Sequence, residues 1–575
     1  MNQDTLKQAL TRATDCLSSK RNSSGYWEGH LSSSALSTAV AVTALVLAEN
    51  PGDEALISGG IEWLGRTQNN DGGWGDTPDS PSNLSTTLLA LSSIRLAKHA
   101  FAGSNQMVSA SLAYVSKHAG SSSETIVKSV QAVYGEDRTF AVPILAVCAL
   151  SGIVEWSQVP ELPFELALLP ASMYKIAKLQ VVSYAMPALI GVGLLIANKN
   201  NAGGLKKGFR ESITPRLLAK LATLQPENGG FLEAAPLTGF VAASLAACGF
   251  NDSPVLGKSL DFLRASVRED GSWPIDTNLS VWVTSNAVSA LKEAGIESPA
   301  SIEWISKLQH TRVHPFTGAA PGGWGWTHLP GGVPDADDTS GAIRVLVSSG
   351  NTTGISDGIQ WLLDLQNSDG GWPTFCRGWG KLPFDQSSPD ITAHALRTLT
   401  ASKGLHSPDK ISASISKGIK YLENTQRSDG SWVPLWFGCQ TAPEHKNPVY
   451  GTGRVLQALI ELSIQKNAES AIEYLIGAAN SDGGWGGAAG SPSTIEETAV
   501  AVMGLSGYTR HDKASQAVIN GAEYLIRRVE DGTWIQPSPI GLYFASLWYS
   551  EDTYPVSWTV EALARVLNNR QDLQD

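Results

Sequence analysis

Residues Trp361 to Trp372 read WLLDLQNSDGGW, and this stretch decides the fold because it recurs along the chain. An aromatic residue lies in an apolar helical segment, a glutamine follows five residues later, and an Asp-Gly-Gly-Trp turn comes next. Glycine tolerates positive φ, so the turn ends the helix. The tryptophan can then pack back onto the helix, with its ring available to the glutamine amide. We therefore predict a helix, a tight turn and a buried clamp that performs no chemistry.

The same unit recurs in strong copies that end at Trp74 and Trp432. Weaker copies lose the glutamine or the tryptophan and lie at Asn228–Phe231, Asp270–Trp273, Asp482–Trp485 and Asp531–Trp534. Each copy ends one helix and leads into another apolar helix. Helix pairs repeated at roughly 50 to 60 residues predict a closed ring of helices and exclude a sheet protein.

Composition limits the size and partners of the protein. The chain has 575 residues, of which 42% are hydrophobic and 17% are charged. A chain of this length is larger than a single hydrophobic core usually supports, so we predict two domains. A net charge of −12 argues against a nucleic-acid partner. The five cysteines have neither metal-ligand nor disulfide spacing, which favours a reducing compartment. The first residues lack the pattern of a signal peptide, so we expect a cytoplasmic protein.

One uncharged stretch, from Val181 to Ala197, raises the question of a membrane span. It falls short of the roughly 20 apolar residues that a spanning helix needs, and Pro187 interrupts it. We predict a buried core helix here. A segment that dips into the inner face of the membrane is the alternative.

An acidic cluster, Asp335-Ala336-Asp337-Asp338, is the candidate for chemistry. Viewed alone, it would be a solvated turn or a cation site. Carboxylates placed close together resist joint ionisation, so such a cluster can also hold a proton at neutral pH. The segment Gly322–Trp326 precedes the cluster without a gap.

The repeats and the sequence Asp335–Thr339 together resemble the class II terpene cyclases of the squalene-hopene cyclase and oxidosqualene cyclase family. The resemblance implies an all-α fold of two α/α barrels, one inserted into the other, around a large apolar cavity. We place the catalytic barrel at 1–19 plus 263–575 and the inserted barrel at 20–262.

The same resemblance implies the roles of the site residues. Asp337 would protonate an alkene of the substrate, with Asp335 and Asp338 completing the cluster. His394, within Asp390–His394, would be protonated and would pair with Asp335. No metal or cofactor is needed for this chemistry.

Aromatic faces stabilise carbocations by cation–π attraction of up to about 2 kcal/mol. By resemblance, the cavity would be lined by Trp282, Trp326, Phe375, Trp436, Tyr450, Trp548 and Tyr549, although ordinary core packing would also explain each of them. Two positions depart from the squalene cyclases. Those enzymes carry a glutamate where this chain has Thr38, and an aspartate where it has Val283. The departures change the polar end of the cavity, where the final cation loses its proton.

The sequence therefore predicts protonation-initiated cyclisation of a linear polyprenyl chain. A geranylgeranylated hydroxybenzoate is the leading substrate. Squalene is the first alternative, and geranylgeranyl diphosphate, with Mg²⁺ and basic residues such as Lys206 and Arg210, is the second. A non-catalytic helical binding protein is the rival from another class. A homodimer and peripheral contact with the membrane are left open.

Overall fold

The computed structural model describes residues 2–97, 104–135, 138–169, 173–174, 181–200, 205–315, 317–508, 510–543 and 547–571. The described residues form α-helices, with short 3₁₀ turns at Trp156–Gln158, Phe164–Leu168, Phe231–Glu233, Pro443–His445, Ser506–Tyr508 and Thr533–Ile535. Three antiparallel strand pairs join Ser33–Ser34 to Trp273–Pro274, Trp324–Gly325 to Pro334–Asp335, and Gly541–Tyr543 to Leu547–Tyr549. The predicted all-α fold is confirmed.

The larger helical ring, which we call the second ring, is built around inner helices that pack each on the next, the last closing on the first. These are Ser280–Glu293, Ala336–Ser348, Pro389–Ala401, Pro448–Glu461, Ile495–Leu505 and Tyr554–Gln571. The outer helices are Gln3–Ser19, Pro299–Ser306, Ile355–Leu365, Pro408–Thr425, Ala468–Ala478 and Asp512–Asp531. Consecutive helices thus alternate between the outer and the inner layer, as expected of an α/α barrel.

The other ring, the first ring, closes in the same way around apolar inner helices. Its inner helices are Ala35–Ala48, Leu84–Leu96, Arg138–Leu150, Val181–Lys199 and Ala235–Ala247. Its outer helices are Glu54–Thr67, Ser104–Ala119, Ser123–Tyr134, Leu205–Leu224 and Pro254–Ser266. The inner helices are buried nearly all round, which explains their continuous apolar sequence.

The first ring is inserted between the first two helices of the second. Gln3–Ser19 packs on Tyr554–Gln571, and the strand pair Ser33–Ser34 with Trp273–Pro274 joins the two ends of the insertion. Pro254–Ser266 packs on first-ring helices, so the boundary proposed at residue 262 falls inside a helix and belongs after Ser266.

The helix Val181–Lys199 is long and apolar enough to cross a membrane by length and composition alone. About two thirds of it (67% of Val182–Lys199) is buried inside the protein, and it packs between two other inner helices of the first ring. Its position is that of a core helix.

The repeat forms a clamp, but its hydrogen bonds differ from those that we expected. Trp372 Nε1 donates to the Leu362 carbonyl of its own helix (2.8 Å), not to the glutamine. Gln366 Nε2 donates to the Gly370 carbonyl in the turn (2.8 Å) and to the Ser414 carbonyl on the next outer helix (2.9 Å). The tryptophan therefore closes its own helix, and the glutamine joins one outer helix to the next.

A threonine on an inner helix completes six of these clamps. The backbone N–H of Trp372 donates to Thr392 Oγ1 (3.0 Å). The same bond joins Trp74 to Thr87, Trp273 to Thr38, Trp324 to Thr339, Trp432 to Thr452 and Trp485 to Thr498. Each repeat thereby fixes the start of an inner helix, which is where polar residues can face the space between the rings.

Replacing Gln366 by alanine should destabilise the protein by about 2–4 kcal/mol, because two buried carbonyls would lose their donor and Ser414 Oγ its acceptor. Urea unfolding followed by circular dichroism would measure the effect. Gln360→Ala is the matched control on the same helix. Among the described residues, its amide bonds only to the side chains of Asp364, His406 and Lys410 near the surface and to no buried carbonyl, so its loss should cost under about 0.5 kcal/mol. Equal losses in the two variants would contradict the clamp.

Candidate active site

The acidic cluster is placed by one of these clamps. Trp324–Gly325 pairs with Pro334–Asp335, and the Trp324 backbone N–H binds Thr339 Oγ1 (2.9 Å) in the first turn of Ala336–Ser348. Asp335 is the N-cap of that helix, since its Oδ1 accepts from the Asp338 backbone N–H (2.8 Å). Thr339, the last residue of the acidic motif, is therefore the structural anchor of the three acids.

Asp335 and Asp338 are buried side by side. Burial is the main cause that raises the pKa of Asp335, to about 8, and that of Asp338 well above its usual value. The repulsion between the carboxylates, and with Asp337, adds to the effect. At neutral pH this pair is held in its protonated form, which keeps negative charge away from Asp337.

Asp337 points in another direction and meets His394. Its Oδ1 lies 2.8 Å from His394 Nδ1, and both side chains are only about one eighth exposed (14% and 12%). The expected pairing of His394 with Asp335 is therefore wrong. Asp335 uses its oxygen as a helix cap, whereas Asp337 projects from the first turn towards the neighbouring helix Pro389–Ala401.

His394 was also expected to be protonated. Burial lowers its pKa below the usual value, and the nearby Arg454 and Arg397 lower it further, although Asp337 opposes them. A neutral imidazole with the proton on Nδ1 would donate to Asp337 Oδ1 and leave the other oxygen to carry the acidic proton. This arrangement also stabilises the carboxylate that remains after the proton has left.

Asp390 joins the cluster from one helical turn before His394. It is fully buried, and burial together with the charge of Asp337 raises its pKa to about 7. Its proximity to Asp337 could not be read from the sequence, although the acid stands in the same short segment as His394.

Activity should fall as the pH rises through about 7 to 8, because ionised Asp390 and Asp335 would place negative charge beside the carboxylate that forms when Asp337 gives its proton to the alkene. Initial rates at pH 7 and pH 9 should differ by about tenfold. Stability should change in the same direction. These carboxyls have raised pKa values in the folded protein, so it binds more protons than the unfolded chain between about pH 4 and 8 and loses stability across that range. A rate that is constant to pH 10 in folded protein would contradict this.

The acids open into a cavity between the two rings. Asp335, Asp337 and Asp338 line it together with aromatic and aliphatic side chains. Phe375 packs edge-on against Trp326 and Trp436, with ring centroids 5.9 and 6.2 Å apart. First-ring residues Phe140, Tyr184, Leu232 and Phe240 complete the lining, and Tyr184 contacts Phe375 (5.4 Å between ring centroids). The result is a proton donor that faces an aromatic enclosure, suited to an alkene and the cation formed from it.

The structure brings five of the predicted aromatic residues into this lining: Trp282, Trp326, Phe375, Trp436 and Tyr549. Phe384, Phe437, Tyr543 and Tyr554 also line it. Phe384, Phe437 and Tyr554 were missed because aromatic residues in ordinary core positions give the same sequence signal.

Three predicted lining residues lie elsewhere. Tyr450 is stacked on Phe437 behind the wall (4.1 Å between centroids). Side chains alternate along the strand Leu547–Tyr549, and Leu547 and Tyr549 line the cavity. Trp548 therefore points away from the cavity, and its backbone N–H donates to Asp76. Thr38 accepts the Trp273 N–H as a clamp residue.

A family model for the squalene-hopene cyclase C-terminal domain matches residues 278–568, and one for the N-terminal domain matches residues 10–203. The chain belongs to the squalene-hopene cyclase family. It is a class II terpene cyclase, and the two matched domains follow the two helical rings. The predicted enzyme class is confirmed.

Individual relatives agree with this assignment. A probable squalene–hopene cyclase of Sinorhizobium fredii is 25% identical over 98% of this chain and 97% of its own. Drimenyl diphosphate synthase of Streptomyces showdoensis is 29% identical over 44% of each chain. The solved structure of ent-copalyl diphosphate synthase from Streptomyces platensis shares the fold, with a TM-score of 0.63, 17% identity and coverage of 98% and 99% of the two chains.

Proposed function

We propose that this cyclase acts on a linear polyprenyl chain with an oxygen-bearing aromatic head, of the geranylgeranylated hydroxybenzoate class. The observation that carries the proposal is the charge of the cavity. Its described lining residues include four carboxyls and no lysine, arginine or histidine. A diphosphate head would find no cationic side chain among the described lining residues, whereas the aromatic walls suit a prenyl chain and an aromatic ring.

Squalene is the alternative. The similarity to the probable squalene–hopene cyclase of Sinorhizobium fredii, which extends over nearly the whole of both chains, favours it. The positions that would be acidic in a squalene cyclase argue against it. Thr38 is part of a clamp, and Val283 is fully buried. The polar end of a squalene cyclase cavity is therefore not reproduced at these two positions.

A prenyl diphosphate is the second candidate, and the similarity to drimenyl diphosphate synthase favours it. The basic residues considered for a diphosphate have other partners. Arg210 binds Glu165 (2.6 Å) and Glu161 (3.0 Å), and Lys206 binds Glu161 (2.7 Å). These ion pairs neutralise the two cations without a substrate, although Arg210 Nη1 is buried without a hydrogen bond among the described residues.

We also propose that the apolar substrate enters from a membrane surface to which this cytoplasmic protein binds peripherally. Leu166 and Phe209 are each about half exposed (48% and 56%) on a 3₁₀ turn and a helix that pack together, and Met173 is exposed to a similar extent (49%). Flotation with anionic lipid vesicles would test this, with Leu166→Ser/Phe209→Ser as the variant that should no longer float.

Parallel incubations would test the substrate. Purified protein is given geranylgeranyl-hydroxybenzoate, squalene or geranylgeranyl diphosphate, each with and without Mg²⁺, and the products are analysed by mass spectrometry. We expect cyclised product from the first substrate, independent of Mg²⁺. Conversion of the diphosphate alone would overturn the proposed head group, and conversion of squalene alone would favour the family reaction.

A further inference from the structure

A fourth carboxyl, Asp276, faces the same cavity as the three acids of the cluster. It stands three residues after the clamp tryptophan Trp273, and its backbone bridges to Ala234 in the first ring. Nothing in the initiating chemistry uses it. Its position at the junction of the two rings is fixed by backbone contacts on both sides.

A buried carboxylate lies beside Asp276. Glu233 is fully buried and accepts hydrogen bonds from the Gly331 backbone N–H (2.7 Å), from Asn228 Nδ2 (2.8 and 3.0 Å) and from Thr277 Oγ1 (3.2 Å). These donors favour a charged Glu233 and oppose burial, which raises its pKa. Burial, and then the charge of Glu233, raise the pKa of Asp276 well above its usual value. The hydrogen bonds therefore assign the negative charge of the pair to Glu233 and the proton to Asp276.

One carboxyl oxygen of Asp276, Oδ1, lacks a hydrogen-bond partner among the described residues. Asp276 Oδ1 and Trp326 Nε1 are both buried and have no hydrogen bond of ordinary length among the described residues, although the indole N–H lies close enough to favour the charged carboxyl. Tyr543 Oη donates to the other oxygen, Oδ2, at 3.4 Å. A buried acceptor and a buried donor that line the same cavity without partners among the described residues are groups that a bound water can join.

We propose that Asp276 ends the reaction as the site of the terminating proton transfer, with a water held between Asp276 Oδ1 and Trp326 Nε1. The role rests on the proposed polyprenyl substrate. A C–H bond next to the final cation breaks, its electron pair forms the C=C bond, and the proton passes to the water and on to the Asp276–Glu233 pair. The charge of the pair changes from −1 to 0, while the initiating acids have lost one proton, so the total charge is conserved.

The position of Asp276 suits a cation that forms after ring closure begins. Tyr543 and Tyr549 line the cavity, and the charges of both Asp276 and Asp338 act on them. The acids of the cluster and Asp276 thus lie near the same aromatic rings. These rings would stabilise a cation formed there, and the negative charge of Glu233 beside Asp276 would attract it.

The test compares products, using the substrate that the wild-type enzyme converts. Asp276→Asn can hold the water but cannot take its proton. In this variant we expect the share of the main wild-type product among all products to fall at least about tenfold, and hydroxylated products to replace it. Asp276→Leu excludes the water and should give other alkene isomers instead. Tyr543→Phe, which removes one hydroxyl group, should shift the ratio in the same direction as Asp276→Asn and serves if the Asp276 variants do not fold.

Asp76→Asn is the matched control, because Asp76 is an equally buried carboxyl with a raised pKa that does not line the cavity. It should leave the product ratio unchanged. Wild-type product ratios in folded Asp276→Asn, Asp276→Leu and Tyr543→Phe would overturn the role of Asp276 alone. Failure of the wild type with every polyprene tested would instead overturn the proposed function.

Discussion

Replacing Asp337 by asparagine is expected to lower the rate of cyclisation at least about 1,000-fold while the protein stays folded. An isolated alkene is a very weak base, so the first step depends on a positioned acid. Asparagine keeps the size of the side chain and can still bond to His394 Nδ1, but it has no acidic proton. The loss should therefore appear in kcat, with little change in KM.

Two further measurements separate this role from a structural one. Asp357→Asn, on the exposed surface of a neighbouring helix, is the control and should retain wild-type turnover. In deuterated buffer, the wild-type product should carry one deuterium at the carbon that receives the first proton. Turnover by Asp337→Asn within tenfold of the wild type would exclude Asp337 as the donor and point to Asp338 or Asp335.

The clamps could be predicted from the sequence because their main contacts are local. Trp372 reaches a carbonyl ten residues earlier and a threonine twenty residues later. One clamp was hidden by an insertion. Gln309 bonds to the Gly322 and Gly354 carbonyls (both 2.8 Å), but 14 residues separate it from Trp324, where the usual unit has five. Counting aromatic-to-glutamine spacing from Trp304 would have found it.

The arrangement within the site depends on how helices pack, which spacing does not reveal. The sequence places Asp335 and Asp337 two residues apart, and only the helix cap at Asp335 decides which of them can reach His394. The alternation of the strand Leu547–Tyr549 excludes Trp548 from the cavity, but the strand itself had no sequence signal. The sequence did not point to Asp276, because the two residues that act on its pKa are distant in the chain. Glu233 raises this pKa and Trp326 lowers it, and they lie 43 and 50 residues away.

Replacing His394 by leucine is expected to lower kcat by about 100- to 1,000-fold, the usual effect of removing one donor that stabilises a developing negative charge. His394 does not line the described cavity, because Trp282 lies between, with its ring centroid 5.9 Å from that of the imidazole. KM should therefore change little. His394→Gln retains an N–H group on a side chain of similar reach and should recover part of the rate.

The charge of His394 decides how the acid works, and pH separates the two possibilities. A protonated histidine with an ordinary pKa would make the rate depend on pH between about 6 and 7. Burial and the two arginines lower the pKa of His394, so we expect the fall in rate to follow the ionisation of Asp390 and Asp335 near pH 7 and 8, and not the titration of His394. His394→Leu should keep this fall, since the two aspartates cause it. A wild-type rate that drops between pH 6 and 7, with the drop absent in His394→Leu, would show instead that His394 must be charged to assist Asp337.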